Sequence, residues 1–228
     1  MITVRQAESV LLTDQVYQSL HEAILNGQLS AGARLKVRDI ADLVGTSVQP
    51  VREAIRRLEE AGLAERKPHK GAVVTSLSVE ELSNIYDVRM VLEREAIFQG
   101  VKKIGSAECN QLEAILKKIR NAINMREIVE YLNLDEEFLE VMYKAGGNPV
   151  LVNLIKSQWM RCRAYKIVGA KHSFDLQTTD ELLVHQEAML KAAREQDAHS
   201  AASASEKSLR EASARIESTL SQIKKQDN

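Results

Sequence analysis

Arg34–Val74 reads RLKVRDIADLVGTSVQPVREAIRRLEEAGLAERKPHKGAVV, and this stretch decides the fold. Val37 to Val44 has helical spacing, with Ile40, Leu43 and Val44 expected inward, and Gly45 stops it. Ser47 is placed to cap a further helix, and Pro50 in its first turn removes no needed hydrogen bond. Val51, Ala54, Ile55 and Leu58 make the buried stripe of that helix, which Gly62 closes. Leu63–Arg66 and Ala72–Thr75 read as two strands around a tip formed by Lys67-Pro68-His69-Lys70-Gly71. Upstream, Thr13 is expected to cap a helix with Val16, Tyr17, Leu20, Ile24 and Leu25 on one face, ended by Gly27. Arg34-Leu35-Lys36 suits a short strand.

The charge of this stretch is local. From Arg34 to Ala72 there are nine Lys/Arg and six Asp/Glu, a basic surplus of three, although the whole chain carries a formal −1. A nucleic-acid reading therefore rests on geometry and not on bulk charge. A helix N-terminus offers free backbone N–H groups and a positive dipole end to phosphate. Arg52 and Arg56 are four apart and share one side of the helix. Ser47 and Gln49 are short enough to meet base edges in a major groove, where Gln suits adenine. Lys67, His69 and Lys70 on the hairpin can reach the backbone or the minor groove. The plainer reading makes Arg52, Arg56, Glu53, Glu59 and Glu60 a solvated face of i,i+4 pairs. The preceding helix and the hairpin favour the DNA reading, because a helix pair with a wing has a recurrent use.

The rest of the chain is different. With 228 residues and 44% hydrophobic content, one large or two small packed domains are expected. Most punctuation by Gly and Pro falls in the first third, and long helical pattern follows. The boundary is expected near Thr75–Ser78, giving domains over 1–76 and 77–228. Ser78 and Glu81 have capping-box spacing, as do Thr178 and Glu181. Helices are expected at roughly 79–101, 107–123, 127–145, 149–168, 180–195 and 198–225, with Gly146-Gly147-Asn148-Pro149 separating two of them. The tail beyond Ser221 is expected to fray. The fold class is thus mainly α: an N-terminal winged helix-turn-helix and a C-terminal all-α bundle. Cys109 and Cys162 have no metal-type spacing. No run of about eighteen apolar residues exists, and Met1–Leu12 lacks the pattern of a signal peptide. No membrane partner and a cytoplasmic location are expected.

The stretch LTDQVYQSLHEAILNGQLSAGARLKVRDIADLVGTSVQPVREAIRRLEEAGL resembles the winged helix of the GntR family of bacterial transcription regulators. Its specific signals are PVREAIRRLEEAGL and the turn built on Gly27, Leu29, Gly32 and Leu35. The resemblance covers residues 13 to 75. It implies that Arg38, Ser47, Gln49, Arg52, Lys70 and Gly71 fall at DNA-contacting positions, with Val48, Arg56 and His69 beside them. The family usually has Arg-Thr between the cap and the proline, where this chain has Val48-Gln49.

From about 78 to 215 the chain resembles the FCD ligand-binding domain of the FadR subfamily. Tyr86-Asp87-Val88-Arg89 with Leu92-Glu93, Leu134-Asp135-Glu136-Glu137-Phe138 and Ala145–Pro149 carry the likeness, with His185 and the Ala-rich helix around Asp197. Many such domains hold a divalent metal with one Asp and three His. Here Asp135 and His185 occupy ligand positions, Leu139 stands where the first His belongs, Ser208 stands at the last, and His199 is too early. Two ligands are too few for a tight transition-metal site, so a degenerate site with His185 as a hydrogen-bonded pocket histidine and no cofactor is expected, with a bound divalent metal as the alternative. Arg89 is then the candidate for gripping an effector carboxylate, through its bidentate fork; an ion pair with Glu93 is the alternative. Tyr86, Asp135, Arg161, Tyr165 and His185 are further pocket candidates. Trp159 and Cys162 read as packing.

These readings imply a homodimeric, effector-responsive regulator, more often a repressor, that grips a short inverted repeat and answers to a small organic acid. Two rivals are weighed: an architectural DNA binder without effector, and a metal-dependent enzyme. Against the enzyme, the sequence has no nucleophile elbow, Gly-rich phosphate loop or paired catalytic carboxylates. The missing reader Arg predicts an altered operator preference. Restoring it with Val48→Arg is expected to strengthen binding to family-type GT/AC half-sites by on the order of 1–3 kcal/mol. An operator-selection experiment that returns the same profile for both proteins rejects the idea.

Overall fold

The computed structural model describes the backbone of residues 4–176, 178–179 and 181–226, and the side chains of 11–176, 178–179 and 181–221. Two compact units divide between Leu77 and Ser78. The first contains α1 (Val4–Leu25), α2 (Val37–Val44), α3 (Val48–Glu60), β1 (Ala64–Lys67) and β2 (Gly71–Val74). Its core is built from Val16, Leu20 and Ile24 of α1, Ala41 of α2, the expected α3 stripe, and Val73 and Val74 of β2. Each of its Val, Leu and Ile side chains contributes about 1.5–3 kcal/mol when fully withdrawn from water.

Three local expectations are corrected in this unit. Helix α1 does not start at a Thr13 cap; it is already helical at Val4, and Thr13 lies inside it, 8% exposed. Residues 4–12 contain no Gly or Pro, so nothing stops the helix there. Leu43 and Val44 do not face inward: they are 86% and 42% exposed. The covered face of α2 runs through Val37, Ile40 and Ala41, and Leu43 falls about a third of a turn away. Arg34–Lys36 is not a strand either. It makes a single bridge, Arg34 to Val73, supported by the Leu35 N–H donating to the Ala72 carbonyl.

The turn between α2 and α3 depends on Gly45, at φ 68°, where an L side chain is strained. Strands β1 and β2 form an antiparallel hairpin with Ala64 opposite Val74 and Lys67 opposite Gly71. After β2 the chain stays tied to this hairpin. The Thr75 N–H donates to the Leu63 carbonyl, and the Ser76 N–H donates to Glu65 Oε1 at 3.3 Å. Ser78 then opens the next helix with the expected capping box. Its hydroxyl accepts from the Glu81 N–H, and its own N–H donates to the Glu81 carboxylate at 2.8 Å.

The second unit contains α4 (Val79–Val101), α5 (Ser106–Asn124), α6 (Ile128–Ala145), α7 (Pro149–Asp175), α8 (Glu181–Arg194) and α9 (Ala198–Gln226). Among the described residues it has no strand. Its core gathers Ile97, Leu112, Ile119, Phe138, Met142 and Ile155. Asn148 caps α7 by accepting from the Leu151 N–H, with Pro149 in the first turn. Asp180, expected to begin α8, lies outside the described residues. The tail expected to fray stays helical to Gln226, and residues 227–228 also lie outside the description.

Helix α7 continues seven residues past the expected end at 168, through Gly169. A Cβ on Gly169 would meet Ile216 Cγ1 of α9 at 2.7 Å, so this glycine serves helix packing and not termination. Gly100 plays the same part between α4 and α6, where a Cβ would sit 1.9 Å from the Met142 carbonyl oxygen. Backbone cannot step aside as a side-chain tip can. Gly100→Ala is expected to cost about 3 kcal/mol of unfolding free energy, measured by urea titration; a loss below about 0.5 kcal/mol contradicts that contact.

Candidate nucleic-acid interface and ligand cavity

The first unit sorts its basic side chains into two groups. Arg56 is bound to Glu53 at 2.5 Å and to Glu60. Arg57 pairs with Asp14 at 2.5 Å and lies over the Tyr17 ring. Arg66 pairs with Glu59, and Lys67 with Glu65 and the Ser76 hydroxyl. The i,i+3 and i,i+4 pairing weighed against the DNA reading therefore holds for Arg56. Arg38, Arg52 and Lys70 are exposed and make no ion pair among the described residues.

Ser47 sits at the α3 N-cap with extended backbone, but its hydroxyl makes no capping bond. The N–H groups of the first turn and that hydroxyl therefore stay available. Val48 (40% exposed) and Gln49 are also open to solvent. At the hairpin tip, His69 has φ 60° and Gly71 φ 74°, with open space around the Gly71 α-carbon. His is one of the few residues enriched in that left-handed region.

The second unit contains a cavity of about 70 Å³ lined by α4, α6, α7, α8 and α9. Tyr86, Arg89, Asp135 and His185 line it, as the sequence suggested. Arg161 does not: it is exposed and leans on Gln158 one turn back. Tyr165 is buried but is also absent from the lining. Lys166, Gln186, Tyr131 and Arg215 line the cavity and were not anticipated.

Glu93 is the anchor on one side, 1% exposed. It accepts from Arg89 Nε at 2.7 Å, Trp159 Nε1 at 2.9 Å and the Tyr143 hydroxyl at 2.7 Å. The ion pair with Arg89 left open by the sequence is therefore present, and it is buried. Trp159 is core, as expected, with the added task of holding this carboxylate. Burial, reinforced by Glu93, holds the Tyr143 phenol well above its ordinary pKa, so it remains a donor.

Asp135 is held differently. Its Oδ1 accepts from Gln186 Nε2 at 2.6 Å, and Lys166 Nζ lies 3.9 Å from Oδ2. Burial raises its pKa, against the opposing pull of Lys166 and Gln186. Lys166 also pairs with Glu136 at 2.8 Å. Burial acts to raise the Glu136 pKa, but Lys166 and Arg163 prevail and lower it. His185 Nε2 is 2.7 Å from Glu211 Oε2.

The four positions that the resemblance assigns to a metal all line this cavity: Asp135, Leu139, His185 and Ser208. They do not fit a divalent ion. Leu139 offers no donor atom, and the Lys166 ammonium already stands beside Asp135. Among the described residues, no three His, Cys, Asp or Glu side chains converge as a ligand set.

Residues 12–74 match the family described as bacterial regulatory proteins, gntR family, and residues 84–211 match the FCD domain. Bacillus subtilis YdhC, an HTH-type transcriptional regulator, is 32% identical over 62% of this chain and 64% of its own length. Escherichia coli McbR, an HTH-type transcriptional regulator, is 28% identical over 67% of this chain and 69% of its own. The aligned stretch thus spans about two thirds of these relatives. The solved structure of E. coli McbR/YncC shares the fold, with TM-score 0.71, 24% identity, and coverage of 95% of this chain and 99% of that one. A GntR regulator from Rhodococcus sp. RHA1 does so with TM-score 0.75, 22% identity and coverage of 90% and 96%. No described helix is long and apolar enough to cross a membrane. These matches are to transcription regulators and not to enzymes, and the chain belongs to the GntR family as a member with an FCD domain.

Proposed function

We propose that this chain is an effector-responsive repressor, working in the cytoplasm, that grips a short inverted-repeat operator as a homodimer. The observation that carries the proposal is the separation of cations in the first unit. Arg56, Arg57, Arg66 and Lys67 are consumed by local carboxylates. Arg52 stands unpaired among the described residues near the uncapped start of α3, Arg38 in the first turn of α2, and Lys70 at the hairpin tip. A helix end with free N–H groups and unspent guanidinium groups suits phosphate and base edges.

In this reading Arg38 and Arg52 hold the backbone, Ser47 and Gln49 meet bases, and His69, Lys70 and Gly71 follow the adjacent groove. Val48 brings methyl groups to the position of the family's usual Arg. That chemistry suits a thymine methyl and not a guanine edge. Arg56 acts indirectly, by stiffening α3. The cavity of the second unit takes a small carboxylate-bearing effector, with Arg89, Tyr86, Asp135 and His185 around it. The effector biases the DNA-binding state, a coupling typically worth about 1–3 kcal/mol.

Fluorescence anisotropy on a selected operator tests this. Arg52→Ala is expected to weaken binding at least about tenfold and to reduce the salt slope by about one. Arg56→Ala should change it far less. Wild-type affinity that survives Arg52→Ala refutes the assigned face. A second arm titrates small acids into the protein–operator complex. Release or tightening by about 5-fold or more supports the effector reading. An operator affinity that no acid moves leaves the chain an architectural DNA binder.

A further inference from the structure

Two polar atoms on the cavity wall lack a well-formed hydrogen bond among the described residues: Gln186 Oε1, and the Tyr86 hydroxyl, which has only a loose contact with the Arg89 guanidinium. Both side chains are buried, 1% and 4% exposed. Folded proteins rarely leave such groups unmet, because each has given up its water. Here the two belong to one cavity, on α4 and α8.

Their chemical roles are fixed. Gln186 Nε2 donates to Asp135 Oδ1 at 2.6 Å; with that carboxylate ionised beside the Lys166 ammonium, a reversed amide would set oxygen against oxygen. Gln186 therefore presents an acceptor. Burial raises the Tyr86 pKa against the pull of the Arg89 guanidinium at its oxygen, so the hydroxyl keeps its proton and can still donate. The Arg89 guanidinium lies over the Tyr86 ring at 4.6 Å, with Nε given to Glu93 and Nη1 to the Cys162 sulfur. No bond to Arg89 Nη2 is found among the described residues, so that side of the cavity offers donors and the Gln186 side offers an acceptor.

We infer that the ligand is a compact acid with a hydrogen-bond donor close to its carboxylate: a hydroxy or amino acid of three or four carbons. Its carboxylate meets Tyr86 and Arg89, and its hydroxyl or ammonium meets Gln186. The size follows from the cavity of about 70 Å³. At roughly 10–15 Å³ per water-sized site, this holds roughly half a dozen non-hydrogen atoms. No divalent ion is needed, because Lys166 supplies the neighbouring positive charge. The inference rests on the proposal that this cavity is the effector site.

Calorimetric titration of the full-length, chelator-treated protein compares 2-hydroxybutyrate, 2-aminobutyrate and butyrate. At least one of the first two is expected to bind about tenfold tighter than butyrate, and which one does identifies the donor as hydroxyl or ammonium. Gln186→Leu should erase that advantage and leave butyrate binding in place. Tyr86→Phe should weaken every acid about tenfold while hardly changing the melting temperature of the free protein, since the deleted hydroxyl has only a loose contact with Arg89. Equal binding of all three acids, unaffected by Gln186→Leu, overturns the inference and leaves the cavity an acid site. Binding by six-carbon acids alone overturns the size argument. Binding by no acid of any length overturns the inference and removes the effector reading with it.

Discussion

The carboxylate of Glu93 is the constraint on which the second unit depends. It is sealed from water, and three donors from α4, α6 and α7 converge on it. A buried charge is tolerated only when its partners are in place, so these helices are fixed to one another as a condition of folding. The cost of withdrawing Arg89 and Glu93 from water is offset only when Tyr143 and Trp159 also arrive. Such a network gives geometric definition more than stability. It fixes Arg89 and Tyr86 as a stationary wall of the cavity. On the other side, Asp135, Gln186 and Lys166 form a second polar set in which one atom, Gln186 Oε1, is left over.

The first unit follows the opposite strategy. Its core is apolar, and its charges are managed at the surface. Exposed ion pairs there add little stability, typically about 0–1 kcal/mol each. Their effect is selective: by neutralising Arg56, Arg57, Arg66 and Lys67 they concentrate unspent positive charge at Arg38, Arg52 and Lys70. A chain with a formal charge of −1 can thereby present a locally cationic surface without a basic composition.

How much of this was legible depended on how local the signal was. The α2–α3 turn, the hairpin and the α6–α7 junction are written in Gly45, Gly71 and Gly146–Pro149, whose conformational demands hold in any context. Thr13 shows the limit: a good capping residue is overridden where nothing upstream breaks the helix. The cavity was only half readable. Arg89, Asp135 and His185 came from resemblance, whereas Lys166 and Gln186 look like surface residues by type. A signal existed in their spacing. Trp159, Cys162, Lys166 and Gly169 share one stripe of α7, and Leu182, Gln186, Met189 and Ala193 share one of α8. A polar residue on a buried stripe marks a site, but which neighbour it meets is set by helix packing that no local pattern encodes. Arg161 illustrates the converse, since its neighbour in sequence is buried while it faces out.

The segment after β2 has one more implication. Thr75 and Ser76 are bonded back to the hairpin, and Ser78 is locked into the first turn of α4. Each unit thus completes its own hydrogen bonding at its end of the junction, the first through Thr75 and Ser76 and the second through Ser78. Fraying that starts at this junction must break backbone hydrogen bonds on either side before it reaches the body of the hairpin or of α4.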